Sequence, residues 1–132
     1  MPALNPVTDS EKIAERLRTT NTVFVACLCA DWCGICREYR DGFDRLADAH
    51  PNMCFVWVDG EDHADLFDEL DVENFPTILI QDSDATRFFG TVLPQASIVE
   101  RMLAEIATLP NAANAPLLRR ALSTPQSTGI RA

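Results

Sequence analysis

The chain has 132 residues, five of them cysteine, with 11 basic and 20 acidic residues for a formal net charge of −9. That length fits one domain with a core of its own, the negative balance excludes phosphate-rich nucleic acid as a partner, and no apolar run approaches the roughly 20 residues of a membrane span. An odd number of cysteines argues against a full set of structural disulfides.

In chain order, TDSEKIAERLRTT reads as a first helix. Thr8 or Asp9 can cap it, and Ile13 and Leu17 form a short apolar stripe. The preceding ALNPV is a candidate edge strand, weakened by Pro2 and Pro6. TVFVACLC (22–29) is apolar at both alternating positions, as a central strand covered on both faces must be. CGICREYRDGFDRLADAH is helical in pattern, with Ile35, Tyr39, Phe43, Leu46 and Ala47 recurring at spacings of three and four. Pro51 stops it. MCFVWVD (53–59) is a second buried strand, and HADLFDEL (63–70) a short amphipathic helix with Leu66, Phe67 and Leu70 on its apolar side. TILIQ (77–81) and TRFFGTV (86–92), joined by DSDA, form a hairpin. LPQASIVERMLAEIATL closes the series as a helix with Pro94 early and Ile98, Met102, Leu103 and Ile106 inward.

The order implies an α/β fold, a mixed central sheet with helices on both faces. Strands linked through helices are expected to be parallel with right-handed crossovers, and the hairpin antiparallel. A domain over 1–109 is followed by a C-terminal extension over 110–132. In it NAANAP reads as a linker, PLLRRALS as one or two helical turns, and TPQSTGIRA as disordered.

All twenty acids lie between Asp9 and Glu105, while Arg119, Arg120 and Arg131 lie in the extension. The densest acidic run, DGEDHADLFDELDVE, reads as a solvated helix face, with a docking surface for a basic partner as the sharper alternative. The N-terminal stretch has neither a basic start with an apolar run nor a small-residue cleavage site, so a cytoplasmic location is expected. Thiols stay reduced there, which points a cysteine pair toward catalysis or metal binding.

Cys33 and Cys36 stand where the first strand gives way to a helix. A thiolate at Cys33 meets unpaired backbone N–H groups and the positive end of the helix dipole, both of which favour the ionised sulfur. The thiolate is the form that attacks a disulfide. Cys36, three residues on, lies on the same face and can resolve the mixed disulfide. Gly34 leaves room for a substrate, and Ile35 offers an apolar contact. CxxC at a strand-to-helix junction is a far more specific signal than CxxC alone.

Here the chain resembles the thioredoxin family, on ADWCGIC after an apolar strand, NFPTILI at 74–80, the glycine of FFGTV and the helix order. The resemblance covers about Thr8 to Leu109. It implies a thioredoxin-like fold and a thiol–disulfide oxidoreductase with no organic cofactor and no metal, concerned with cell redox homeostasis. It implies protein disulfides as substrates, a thioredoxin-reductase-type electron donor and a monomer. It makes Cys33 the nucleophile and Cys36 the resolving thiol, and makes Pro76 a cis proline beside the sulfurs. Phe75 then offers backbone groups to the substrate, Trp32 flanks the nucleophile, and Gly90 opens the groove. For Gly90 a bulge or relief of hairpin strain is an equal reading.

The chain departs from the family at three places. Ile35 replaces the usual proline of the motif. Cys27 stands where a buried aspartate usually assists the second cysteine, and Phe55 where a lysine often accompanies it, an apolar pair in place of a charged one. Slower resolution by Cys36, or proton transfer through water or Glu38, is expected. Cys27 and Cys29 point the same way on the strand, with Cα atoms roughly 6.5–7 Å apart, long for a disulfide. Both, with Cys54, read as small buried hydrophobes.

Two other readings compete. C-x-C-x3-C-x2-C offers four soft ligands for zinc or an iron–sulfur cluster, although Cys27 and Cys29 are expected to point away from the helix start. A thioredoxin-like binding module with little redox activity is the second. His50 and His63 read as surface residues.

Overall fold

Apolar side chains at both parities make Val23–Cys29 (β1) a strand that needs cover on each face, and every residue from Phe24 to Cys29 is buried. The computed structural model describes residues 3–6, 8–18, 22–30, 33–60, 75–82, 85–92 and 95–105. The expected helix at 63–70, Trp32, His63, Ile106 and the extension at 110–132 lie outside the described residues. The elements in order are Ser10–Leu17 (α1), β1, Gly34–Ala49 (α2), Cys54–Asp59 (β2), Thr77–Asp82 (β3), Ala85–Thr91 (β4) and Ala96–Ala104 (α3).

The sheet order is β2-β1-β3-β4. β1 and β2 are parallel, as a strand–helix–strand connection demands, and β3 and β4 form the expected antiparallel hairpin. One expectation is corrected: β3 is antiparallel to β1, not parallel. β2 ends at Asp59, opposite Cys29, and β3 begins at Thr77, opposite Leu28. The chain therefore re-enters the sheet at the end where it left, and no crossover back along the sheet is needed. The edge segment reduces to one parallel bridge between Leu4 and Val56, made by Leu4 N–H to Phe55 O and Trp57 N–H to Leu4 O, both 2.9 Å.

The two faces of β1 carry two cores. Phe24, Ala26 and Leu28 pack with Val56, Val58 and Leu79 against Ile13 and Leu17 of α1. Val25, Cys27 and Cys29 pack with Phe55, Trp57, Ile78 and Ile80 against α2 and α3. Phe43 is fully buried in the second core, with ring centroids 5.4 Å from Phe55 and 5.9 Å from Trp57 in edge-on contact. Gln81, also fully buried, is satisfied across the hairpin by Thr86 Oγ1 at 3.0 Å, beside a register shift at Ile80/Gln81.

Two stripes differ from the periodic reading. On α2 the buried set is Cys36, Tyr39, Phe43, Leu46 and Ala47, and Ile35 is left 46% exposed. The spacing of three and four holds, but it starts from Cys36. On α3 the buried pair is Val99 and Leu103, with Ile98 and Met102 only partly covered. α3 lies close to α2 at Gly42, where a Cβ would come within 3.2 Å of the Ala96 Cβ. α1 is capped by Asp9, whose carboxylate accepts the Asn5 N–H at 2.9 Å instead of a helix amide.

Phe43→Ala removes the ring that joins Tyr39, Phe55 and Trp57, leaving a cavity. Its expected cost is about 3–5 kcal/mol, read from the urea midpoint at unchanged slope.

Candidate functional site

One end of the sheet gathers the residues singled out by the sequence. At that end β1 finishes at Cys29, β2 at Asp59, β3 begins after Pro76, and β4 finishes at Thr91, opposite Thr77. Gly60 N–H donates to Cys29 O at 2.8 Å, and Val92 N–H donates to Pro76 O at 3.1 Å. The Phe75–Pro76 bond is cis, as the motif implied. Pro76 is buried, and Phe75 is half-buried between the two cores.

α2 starts at this end. Cys33 is its N-cap residue, with an extended backbone and a partly exposed side chain packed on the core. Cys33 N–H donates to Ala30 O at 3.0 Å, and Cys33 O accepts Arg37 N–H at 3.1 Å. Gly34 and Ile35 are exposed on the first turn, and a Cβ on Gly34 would find nothing nearer than Arg37 Nη2 at 3.9 Å. Both leave open surface beside Cys33. Gly90 pairs with Ile78 on the neighbouring strand β3, and a Cβ there would meet the Phe88 ring at 3.5 Å, an ordinary contact. The bulge lies at Ile80/Gln81, so Gly90 does not mark one.

The cysteines are arranged differently from the spacing-based expectation. Cys36 is bonded to Cys29, with Cα atoms 5.8 Å apart, and Cys33 is a free thiol. The reading of Cys29 as an inert hydrophobe pointing away from the helix start is therefore corrected. Odd-numbered side chains of β1 face α2, and Cys29 is the last of them, directly under the first turn. Cys29 and Cys36 are both fully buried, and Ala30 N–H points at Cys36 Sγ across 3.4 Å. The usable signal in the sequence was parity: Val25, Cys27 and Cys29 share a face with the helix-packed side of the sheet.

The pairing also bears on the four-cysteine metal set. Two of its sulfurs are bonded to each other, and among the described residues no group of three or more His, Cys, Asp or Glu side chains is placed to hold a metal ion.

Beneath the site, Cys27 is opposite Trp57 and not Phe55, which faces Val25. The position is not wholly apolar either, because Arg40 lies close enough to act on the Cys27 thiol. The Arg40 guanidinium sits 4.7 Å above the Trp57 ring, and its Nε is 3.4 Å from Asp44 Oδ2. Arg40 is four residues beyond Cys36, a spacing that put it on the inward side of α2. Burial pushes the Cys27 thiol well up, with Arg40 pulling weakly the other way. Burial also raises the Tyr39 hydroxyl, and Cys27 adds to that shift. Glu38 is exposed on α2. His50 pairs with Glu100 at 3.1 Å and stacks on Phe55, away from the cysteines.

Residues 5–104 match the family model described as Thioredoxin. Thioredoxin H10 of Arabidopsis thaliana is 34% identical over 79 residues, 58% of this chain and 51% of that one. An H-type thioredoxin of Picea mariana is 37% identical over 75 residues, 56% of this chain and 59% of that one. The chain thus spans about half the length of the curated relatives it matches. In structure it is similar to a thioredoxin of Trypanosoma brucei brucei, with a TM-score of 0.65 at 18% identity over 80% of this chain and 90% of that one.

A raised thiol links Cys27 to stability. Folded Cys27 keeps its proton to higher pH than the unfolded chain does, so its contribution is complete below the ordinary thiol value of 9.0. It is lost as the pH climbs from there toward the folded value, and Tyr39 acts with the same sign at higher pH. Unfolding free energy is expected to fall by about 1.4 kcal/mol per pH unit above that point from Cys27 alone. Urea titrations of wild type and Cys27→Ala across pH 8 to 10.5, roughly the span in which an unperturbed thiol titrates, check it. A shallower slope in the variant is expected, and equal slopes would contradict the shift.

Proposed function

The chain belongs to the thioredoxin family, and from that premise we propose that it is a thiol–disulfide oxidoreductase acting on protein disulfides, with Cys33 as nucleophile and Cys36 as resolving thiol. The observation that carries the reading is a partly exposed free thiol capping α2, one helical turn from a second cysteine already engaged in a disulfide. When Cys36 is reduced, the cycle needs no cofactor. The Cys33 thiolate attacks a substrate disulfide, a mixed disulfide forms and one substrate thiolate leaves. Cys36 then attacks Cys33 Sγ, the second substrate thiolate leaves, and substrate is reduced by two electrons as the chain is oxidised by two.

Substrate contacts in this reading come from Trp32, Gly34, Ile35, Phe75, Pro76 and Gly90. The exposed Ile35 supports an apolar contact next to the nucleophile. The remaining elements of the proposal are a thioredoxin-reductase-type dithiol donor, a monomeric domain over 1–109 and a cytoplasmic role in redox homeostasis. The three cysteines outside the disulfide suit a reducing compartment. Among the described residues no helix is long and apolar enough to cross a membrane.

Reduction of insulin by dithiothreitol tests the reading. Wild type is expected to accelerate it, and Cys33→Ser to fall to the uncatalysed background. Wild type no faster than Cys33→Ser would point to a binding module instead.

A further inference from the structure

The disulfide joins Cys36 to a cysteine outside the CxxC motif, and it does so inside the core. Cys29 and Cys36 are fully buried, whereas Cys33 keeps its thiol at the surface. Oxidised by two electrons, the chain is therefore in a state that leaves the nucleophile unspent. We propose that Cys29 is a third redox-active cysteine, which takes Cys36 from Cys33 and stores the disulfide in the core. This rests on the oxidoreductase reading of the same site.

The exchange needs no further oxidant once a protein disulfide has oxidised Cys33 and Cys36. The Cys29 thiolate attacks Cys36 Sγ, the Cys29–Cys36 bond forms, and the Cys33–Cys36 bond breaks. The electron pair leaves on Cys33 Sγ, which takes up a proton equivalent to the one Cys29 gave up. Three observations place the reacting groups together. Cys29 is held at the strand end by Gly60 N–H on its carbonyl at 2.8 Å. Ala30 N–H points at Cys36 Sγ, while Ala30 O holds the Cys33 N–H at 3.0 Å. The Cα separation of 5.8 Å between Cys29 and Cys36 lies inside the range that disulfides adopt.

The stored form behaves unlike an ordinary oxidised CxxC pair. Cys33 can attack a second disulfide, but Cys36 is no longer available to resolve the product. The chain then holds that substrate covalently until an external dithiol opens the Cys29–Cys36 bond.

The test is disulfide mapping of the full chain. Fully reduced protein is oxidised with glutathione disulfide, quenched in acid, alkylated after unfolding and cleaved before Asp31 without reductant. That cut separates Cys29 from Cys33 and Cys36, so a Cys29–Cys36 bond links two peptides and a Cys33–Cys36 bond stays within one. Tandem fragmentation assigns the cysteines. Wild type is expected to give the linked pair, with Cys33 outside it and either alkylated or carrying glutathione. Cys33→Ser lacks the exposed sulfur that starts the exchange and is expected to keep Cys29 and Cys36 reduced, and Cys29→Ser is expected to form Cys33–Cys36 with complete loss of Cys33 alkylation. A wild type that reduces insulin yet maps only to Cys33–Cys36 would overturn storage on Cys29 and leave the oxidoreductase reading standing. A wild type that neither reduces insulin nor forms either bond would overturn both.

Discussion

The backbone of Ala30 joins the strand to the helix at the site. Its N–H points at Cys36 Sγ across 3.4 Å, and its carbonyl accepts the Cys33 N–H at 3.0 Å. One buried residue just beyond β1 thus fixes both motif cysteines, one facing inward and the other outward. β1 supplies the rigidity, because it is paired on both edges and covered on both faces. Exchange chemistry depends on sulfur positions more than on any one pairwise energy. A strand end that could shift would lose that positioning even with the CxxC spacing intact.

The same rigidity shapes the underside of the site. Cys27 is fully buried and retains its proton well above the ordinary thiol range. Near neutral pH it is therefore already protonated and offers no acceptor for a proton from Cys36. Among the described residues the charge that acts on Cys27 is Arg40, which stacks on Trp57 and pairs with Asp44 at the rim of α2. A thiol, a guanidinium and an indole therefore stand beneath the motif.

Most of the fold was legible because the signals were redundant. Continuous apolar runs over 22–29 and 53–59, and helical spacing from Tyr39 to Ala47 stopped by Pro51, each specified an element that the structure contains. The cis bond before Pro76 followed from the motif. What escaped the sequence is relational. The direction of β3 depends on where β2 ends in space. The start of the α2 stripe at Cys36 instead of Ile35 depends on the angle at which the helix leaves the strand. The pairing of Cys29 needed both facts at once: strand parity, and a connection short enough to set the first turn over the strand end. Arg40 beneath the site was visible as the residue four beyond Cys36, but only once Cys36 was known to point inward.

The site rests on a graded burial of sulfurs, with Cys33 at the surface, Cys29 and Cys36 enclosed beneath it, and Cys27 and Cys54 buried in the two cores. Timed labelling of the native, fully reduced chain with iodoacetamide, followed by peptide-resolved mass spectrometry, reads that order directly. The account predicts that Cys33 is carbamidomethylated first and that the other four react only on the timescale of unfolding. Labelling of Cys29 or Cys36 as fast as Cys33 in the folded protein would contradict it.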